Sequence, residues 1–328
     1  MLAFYIAGCR IFVCYERQAT TLWGNKTKGA SRMAKIGIVG IGDMGSGIAR
    51  NLLANGFEVH GLDLDAARMQ AFTQAGGKAA KNLAALASDA QAVFVMVMTG
   101  AQAEAVIFGP DGLAAHMPDG ASIILTATIK PAEAEAIEKR LADTSIYLID
   151  SPVSGGFPGA QSGTLTMMAA GPAAALSACR PVMEAVSSTI HIVGDAAPKG
   201  QMIKACLQSI IGSIFSATFE AASLAAKAGI DGETLFKVVS TSGAGCGVAR
   251  TALENIIDRK FEGTGSHIST MHKDLTICLS MAEKLGVPLH TASTAMQLFH
   301  AGKTKYPEGD NWVVTRVLEE IVGAELHR

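Results

Sequence analysis

Three glycines at fixed spacing, between a short apolar run and a helical stretch, constrain this chain more than any other feature. Gly40, Gly42 and Gly45 follow the run KIGIV and open the stretch SGIARNLLANG. The run has the β-branched composition of a buried strand, and residues 45–55 repeat apolar side chains at helical spacing. A second apolar run follows at residues 58–62. This order of strand, glycine turn, helix and strand predicts a βαβ unit with parallel strands.

The same turn has the pattern of a dinucleotide site. Gly40 allows a tight turn, Gly42 lets the backbone approach a pyrophosphate, and Gly45 lets the helix pack close to the strand. Asp63 closes the second strand, where a carboxylate accepts hydrogen bonds from the adenosine ribose and repels a 2′-phosphate. The pattern therefore predicts NAD as cofactor, with NADP less favoured. The predicted cofactor-binding residues here are Gly40, Gly42, Asp43, Met44, Gly45 and Asp63.

Two alternatives remain for this region. The glycines could form a turn that binds no ligand. Asp63 could cap the helix that begins near Asp65, although Asp65 is the better candidate for that cap.

Apolar runs and helical stretches alternate as far as residue 194, and after that the pattern is helical. Further strands are predicted at residues 92–98, 122–125, 147–149, 165–169 and 190–193, in a parallel sheet. Helices are predicted at residues 65–75, 199–227, 231–240, 247–258, 271–285 and 290–301. The predicted fold class is α/β: a Rossmann-type domain at residues 33–194 and an all-helical domain at residues 195–328, with a long helix between the domains.

Composition and charge exclude several classes of protein. Hydrophobic residues make up 49% of the 328 residues and charged residues 17%, which is enough for a packed core and too little charge for disorder. A net charge of -2 gives too weak a field to hold a nucleic acid or an anionic membrane. No apolar run reaches the roughly 18 to 20 residues of a membrane span. We expect a soluble protein with a small-molecule partner.

The cysteines indicate a reducing environment. None of the six cysteines has a metal-ligand spacing, so we expect a cytoplasmic protein with no metal site. Residues 1–32 carry five basic residues and one acidic residue, and they differ in character from the rest of the chain. They are predicted to be an unstructured extension upstream of a natural start at Met33, with a weak targeting segment as the alternative.

Four motifs in a fixed order resemble one enzyme family. DSPVSGG at residues 150–156, continued by GTL at residues 163–165 and by Gly171, resembles the substrate-binding signature of the β-hydroxyacid dehydrogenase family. That family includes 3-hydroxyisobutyrate, tartronate-semialdehyde and threonate dehydrogenases. The glycine turn precedes this segment, and a lysine on the long helix and then Lys273-Asp274 follow it. The resemblance covers the chain from Ala34 to about Gly323.

The glycine-rich part of the signature has a chemistry of its own. Ser154, Gly155 and Gly156 follow a strand, so their exposed N–H groups and one hydroxyl can bind a carboxylate. The resemblance implies that they hold the carboxylate of the substrate. The alternative is a plain turn.

Lys204 lies near the start of the long helix, whose sequence is apolar on most sides. Met202, Cys206, Ile210, Phe215 and Phe219 recur there at spacings of four or five, which predicts a buried helix. Burial would disfavour the charged form of the lysine and bring it into the range where it exchanges protons. The resemblance implies that Lys204 is the catalytic lysine, which takes the proton of the substrate hydroxyl. The alternative is a lysine whose stem packs while its amine reaches water.

Gln208 is one helical turn beyond Lys204 and is predicted to bind substrate. The chain departs here from the family pattern, since many members carry two asparagines three and four residues after the lysine. This chain has Leu207 and Gln208. Gln208 still offers amide contacts, whereas Leu207 cannot, so one contact of the substrate or the lysine is altered.

Three further residues resemble positions that line the cofactor. Thr99 and Thr128 follow successive predicted strands, at the edge where open α/β sheets bind ligands. The resemblance implies that Thr128 is near the nicotinamide and that Lys273 reaches the cofactor from the helical domain. The alternatives are helix caps for the threonines and an exposed ion pair for Lys273 and Asp274.

The function implied by the resemblance is NAD-dependent oxidation of the hydroxyl group of a small hydroxy acid. L-threonate is the preferred substrate, because residues 127–131 and 241–245 and the Leu207-Gln208 departure look more like enzymes that act on it. The alternatives are 3-hydroxyisobutyrate oxidation and reduction of tartronate or succinic semialdehyde. Imine reduction and non-catalytic nucleotide binding are rivals that Lys204 disfavours. The expected partners are a small carboxylate substrate and further copies of the chain, as a homodimer or homotetramer.

Overall fold

A computed structural model describes residues 35–328, so the predicted extension at residues 1–32 lies outside the described residues. The described chain contains nine strands in one sheet. The strands are β1 (Lys35–Val39), β2 (Glu58–Leu62), β3 (Lys78–Ala79), β4 (Ala92–Val95), β5 (Ser122–Leu125), β6 (Tyr147–Asp150), β7 (Val153–Ser154), β8 (Leu165–Ala170) and β9 (Ser187–Gly194).

The sheet runs in the order β3-β2-β1-β4-β5-β6-β8-β7, and β9 also pairs with β8. The first six strands are parallel, and β9 is parallel to β8. β8 is antiparallel to β6 and to β7, so the sheet is mixed and the prediction of a wholly parallel sheet is wrong. The reason is the short connection at residues 155–164, because a parallel crossover needs about a dozen residues or more.

The helices lie between the strands up to β9 and form the rest of the described chain after it. Those in the sheet domain are α1 (Asp43–Ala54), α2 (Ala66–Gln74), α3 (Leu83–Ala87), α4 (Gly100–Phe108), α5 (Leu113–His116), α6 (Pro131–Leu141), α7 (Gly156–Ser162) and α8 (Ala173–Glu184). Those after β9 are α9 (Lys199–Lys227), α10 (Gly232–Thr241), α11 (Gly247–Ile257), α12 (Ile268–Leu285), α13 (His290–Lys305), a 3₁₀ turn at Asn311–Val313 and α14 (Val314–Val322). The predicted α/β fold class, with a Rossmann-type domain followed by a helical domain, is confirmed.

Side chains cap the helices where the sequence provides an acceptor. Asp65 accepts hydrogen bonds from the N–H groups of Ala67 and Arg68 at 2.8 and 3.1 Å, and so begins α2. Asp231 accepts one from the N–H of Thr234 at 2.9 Å and begins α10. Each carboxylate satisfies donors that a helix start leaves without a partner.

Two apolar cores cover the two faces of the sheet, and a third lies within the helical domain. Ile38, Ile48 and Leu52 are central to the first core and Val93, Ile107 and Ile123 to the second. In the third core an aromatic group holds α9 against α13 and the 3₁₀ turn, with ring centroids 5.8 to 6.4 Å apart. Its rings belong to Phe215, Phe219, Phe299 and Trp312.

The first half of α9 buries a different face from the one predicted. Cys206 and Ile210 are exposed, and the buried stripe instead contains Lys204, Ala205 and Gln208. Because the sequence is apolar on most sides here, its period did not distinguish the faces. Among residues 35–328, α9 is the one helix long and apolar enough to cross a membrane by length and composition, criteria that the core helix of a soluble protein also meets.

Candidate active site

The glycine turn after β1 brings three backbone segments together. Gly40 has φ of +88°, a conformation that favours glycine, and a side chain there would collide with the carbonyl oxygen of Met96. A side chain at Gly45 would collide with the carbonyl oxygen of Gly40. The start of α1 therefore lies directly on the turn, at the carboxyl end of the parallel strands.

The start of α1 can accept a phosphate group. The first-turn N–H groups of a helix have no intrahelical partner, and Gly42, which precedes α1, supplies no side chain to cap them. The carboxylate of Asp43 is 3.3 Å from Nε2 of His267, and the side chain of Met44 packs against the first core. These two residues can therefore serve a phosphate through their backbone N–H groups rather than their side chains.

Asp63 ties the end of β2 to the glycine turn. Its Oδ2 accepts a hydrogen bond from the N–H of Ile41 at 2.6 Å, and its Oδ1 accepts one from the N–H of Asp65 at 2.9 Å. Nη1 of Arg68 is 3.9 Å from Oδ1. Each carboxylate oxygen keeps a further lone pair for a ribose hydroxyl. The open helix start and this carboxylate fit a dinucleotide without a 2′-phosphate.

The two threonines after β4 and β5 have different roles in the structure. Thr99 caps α4, since its hydroxyl accepts a hydrogen bond from the N–H of Gln102 at 3.2 Å. This is the cap that the sequence left as an alternative. Thr128 caps no helix, and its carbonyl oxygen instead accepts a hydrogen bond from Nζ of Lys273 at 2.6 Å. The helical domain therefore contacts the loop after β5 through Lys273.

The segment predicted to hold the substrate carboxylate lies between β7 and α7. Ser154 ends β7, and Gly155 and Gly156 are exposed, with φ of +129° and +59°. α7 packs tightly on α1, because a side chain at Gly47 would be 2.5 Å from the carbonyl carbon and oxygen of Ala160. The segment is thus held close to the helix that starts at the glycine turn.

Lys204 is buried on the inner face of α9, with 6% of its surface exposed. Its Nζ donates a hydrogen bond to Oε1 of Gln208 at 3.1 Å, and Nε2 of Gln208 donates to Oδ2 of Asp274 at 2.5 Å. Burial lowers the pKa of Lys204, the negative charge of Asp274 opposes that shift, and the positive charge of Lys273 adds to it. The amine is therefore shifted towards its neutral form, in which it can accept a proton.

Lys273 completes the polar chain that starts at Lys204. Its Nζ is 3.1 Å from Oδ1 of Asp274 while it also donates to the carbonyl of Thr128. Lys204, Gln208, Asp274, Lys273 and Thr128 thus form one continuous group. Among residues 35–328, no hydrogen bond or ion pair joins this group directly to Ser154, Gly155 or Gly156.

A second buried pair fixes the start of α9. Asp150 is fully buried and accepts hydrogen bonds from the backbone N–H of Gln201 at 3.1 Å and from its Nε2 at 2.8 Å. Gln201 also donates to the carbonyl of Ala127 and accepts from the N–H of Ile129, each at 3.0 Å. Burial raises the pKa of Asp150 to about 6, although the hydrogen bonds from Gln201 act in the opposite direction.

Sequence reasoning did not assign the roles of Gln201 and Arg68, and it did not predict the contact of Asp274 with Gln208. Asp274 lies 66 residues from Gln208, so no local spacing shows the contact. One sequence feature could have indicated the role of Gln201, because it is a polar residue at the start of a helix that is predicted to be buried. The described residues contain no group of three His, Cys, Asp or Glu side chains that could hold a metal ion.

These features define a class of protein. A glycine turn at the carboxyl end of a parallel sheet, an acid after the second strand and a buried lysine amine nearby are the parts of a nicotinamide-dinucleotide-dependent dehydrogenase.

Comparisons with known proteins give the family. The model of the NAD-binding domain of 6-phosphogluconate dehydrogenase matches residues 35–194. The model described as the NAD-binding domain of NADP-dependent 3-hydroxyisobutyrate dehydrogenase matches residues 198–318. The chain is 34% identical to L-threonate dehydrogenase of Cupriavidus necator over 276 residues, which is 84% of this chain and 93% of that one.

Two further relatives agree with these matches. The chain is 31% identical to L-threonate dehydrogenase of Escherichia coli K12, over 87% of this chain and 95% of that one. A crystal structure of 3-hydroxyisobutyrate dehydrogenase from Salmonella typhimurium superposes with a TM-score of 0.81 at 30% identity, covering 87% and 99% of the two chains. The chain belongs to the 3-hydroxyisobutyrate dehydrogenase-related family of NAD(P)-dependent β-hydroxyacid dehydrogenases, and the matches support NAD as its cofactor.

Proposed function

We propose that this protein catalyses the NAD-dependent oxidation of a hydroxyl group of L-threonate. The observation that carries the proposal is the buried amine of Lys204, whose pKa burial lowers and whose one described hydrogen bond goes to Gln208. A buried amine whose pKa is lowered, in a site that can hold NAD, can serve as the proton acceptor that the oxidation of an alcohol requires.

Each group in the site has a defined part in this reaction. NAD, when bound, would supply the hydride acceptor for the oxidation. Lys204 takes the hydroxyl proton as the carbonyl forms, and it returns that proton in the reverse direction. Ser154, Gly155 and Gly156 hold the substrate carboxylate through one hydroxyl and exposed N–H groups. Asp63 would accept hydrogen bonds from the adenosine ribose of NAD, and the start of α1 would hold the pyrophosphate.

The choice of L-threonate rests on two facts about this chain. The relatives at 34% and 31% identity are named for that substrate. Leu207 and Gln208 replace the pair of asparagines found in many other members, and Gln208 occupies the position next to Lys204. 3-Hydroxyisobutyrate is the second candidate, because the Salmonella typhimurium structure with a TM-score of 0.81 carries that name.

The test is NAD reduction, followed by absorbance, with L-threonate, D-erythronate, 3-hydroxyisobutyrate and D-glycerate offered separately. Lys204→Met keeps the length of the buried side chain without the amine, and it should lose about 10²- to 10⁴-fold in kcat while the Kd for NADH stays unchanged. Lys284→Met, on the exposed side of α12, is the matched control and should retain activity. If another acid is oxidised instead of L-threonate, the assignment of the substrate is wrong. If Lys204→Met is fully active, the assignment of Lys204 as the proton acceptor is wrong.

We also propose that the protein is cytoplasmic and works as a homodimer or homotetramer. Ile203, Ile210 and Leu224 on α9 are large apolar side chains that lie 45 to 72% exposed, which is the kind of surface that a second copy would cover. Light scattering across a dilution series gives the oligomeric state. A monomer at micromolar concentration would refute the proposed homodimer or homotetramer.

A further inference from the structure

The amide of Gln208 is held between a base and an acid, and only one of its two orientations satisfies both. Asp274 is 3% exposed, and as a carboxylate it can only accept hydrogen bonds. The amide nitrogen is the sole donor of the Gln208 side chain, so it must face Asp274 for the 2.5 Å hydrogen bond to form. The amide oxygen is then left facing Nζ of Lys204 at 3.1 Å.

This orientation decides what the amine of Lys204 can do. An amide oxygen accepts only, so it engages an N–H of the lysine in either protonation state. The lone pair of the neutral amine is therefore directed away from Gln208 and remains free for a substrate hydroxyl. In the opposite orientation the amide N–H would donate to that lone pair, and the base would be occupied.

We propose that Asp274 is a positioning residue for the reaction, because it holds the Gln208 amide with its oxygen towards Lys204 and so keeps the lone pair of the lysine free. The proposal rests on the proposed function of Lys204 as the proton acceptor. Asp274 does not touch the substrate in this account, and it acts through Gln208.

Asp274 contacts both Lys273 and Gln208, and its two carboxylate oxygens divide these contacts between them. The hydrogen bond from Gln208 to Oδ2 is 2.5 Å, whereas Nζ of Lys273 is 3.1 Å from Oδ1. Lys273 also has the carbonyl of Thr128 as an acceptor at 2.6 Å. Oδ2 therefore serves Gln208, and Oδ1 faces Lys273.

A double-mutant cycle tests whether Asp274 acts through Gln208. Asp274→Asn offers both a donor and an acceptor, so it permits both amide orientations. We expect a fall of about tenfold in kcat at a pH where Lys204 is neutral, with the KM for NAD unchanged. Gln208→Met removes the amide and keeps the length. On the Gln208→Met background, Asp274→Asn should change kcat by less than about twofold.

Two further variants make the cycle interpretable. Glu283→Gln changes an exposed carboxylate of the same helix to an amide, and it should leave kcat unchanged. Gln208→Asn shortens the amide by one methylene, so that it cannot span Lys204 and Asp274. This variant should also lower kcat about tenfold. It tests the link between Lys204 and Asp274 even if Asp274→Asn folds poorly. Equal, additive losses from Asp274→Asn on both backgrounds would overturn the proposal.

A second readout needs no substrate. The charged groups acting on Lys204 are Asp274 and Lys273, both from α12, and Asp274 favours the ammonium form. Asp274→Asn should therefore lower the pH at which Lys204 becomes half-neutral, measured by competitive reductive methylation and mass spectrometry.

The two readouts separate failure of the inference from failure of the proposed function. If Lys204 shifts while none of the four acids is oxidised, the proposed function fails and the coupling to Asp274 stands. If an acid is oxidised through Lys204 but the losses in the cycle are additive, the proposed function stands and the positioning role of Asp274 fails.

Discussion

The buried pair of Asp150 and Gln201 makes the stability of this protein depend on pH in a defined direction. Burial raises the pKa of Asp150 from 3.8 to about 6 in the folded chain. Between these values the folded protein keeps a proton that the unfolded chain has released. The free energy of unfolding therefore falls as pH rises through this window. The contribution of Asp150 is full below pH 3.8 and is lost above about pH 6.

The size of the effect follows from the same shift. A change of about two pKa units, at about 1.4 kcal/mol per unit, corresponds to about 3 kcal/mol. Asp150→Asn stays neutral at every pH and so lacks this dependence. It loses one acceptor for the hydrogen bonds from Gln201, which lowers stability by a similar amount at every pH.

The assay is urea unfolding of the wild type and of Asp150→Asn at pH 4 and pH 7. The difference in free energy of unfolding between the two proteins should change by about 3 kcal/mol between these values, in favour of the variant at pH 7. Asp143→Asn removes a solvent-exposed carboxylate and serves as the matched control. A difference between wild type and Asp150→Asn that stays constant from pH 4 to pH 7 would show that the reasoning about Asp150 is wrong.

Two other perturbations follow from the turn and its neighbours. Asp63→Asn removes the charge that repels a 2′-phosphate and frees Arg68, now 3.9 Å away, so the ratio of kcat/KM for NAD to that for NADP should fall at least tenfold in steady-state assays. An unchanged ratio would exclude Asp63 as the selective group. Gly47→Ala places a methyl 2.5 Å from the backbone of Ala160 and should cost about 1 to 3 kcal/mol, whereas Gly247→Ala meets nothing within 4 Å and should be tolerated in thermal unfolding. Equal melting temperatures for the two variants would contradict the close packing of α1 on α7.

Local sequence patterns predicted most helices and strands. The features that they missed depend on contacts between distant segments of the chain. The ranges of β2, β5 and α9 agree with the sequence prediction. The direction of β8 does not, because it depends on which strands it meets after a short connection. The buried face of the first half of α9 was also wrong, since a helix apolar on most sides gives no periodic signal. There the neighbouring elements, rather than the sequence period, set which side faces inward.

The candidate site divides in the same way. The glycine turn and Asp63 lie within one βαβ unit, so spacing alone indicates their chemistry. Gln208 was predicted to bind substrate, and the structure shows its amide between Lys204 and Asp274. That arrangement depends on α9 packing against α12, which no local pattern contains. Asp43 illustrates the same limit, because His267 approaches it from a distant segment.

α9 carries the buried amine of Lys204 near its beginning and the aromatic core in its second half. Lys204 and Phe219 are fifteen positions apart on the same helix, a distance of about 22 Å along its axis. A tilt of about 3° at the aromatic end would move the backbone of Lys204 by about 1 Å, enough to disturb a proton transfer. We therefore expect substitutions around Phe215 and Phe219, although they lie about 22 Å from Lys204, to change which acid the protein accepts. A search for variants with new substrate preferences should include this remote core as well as the pocket.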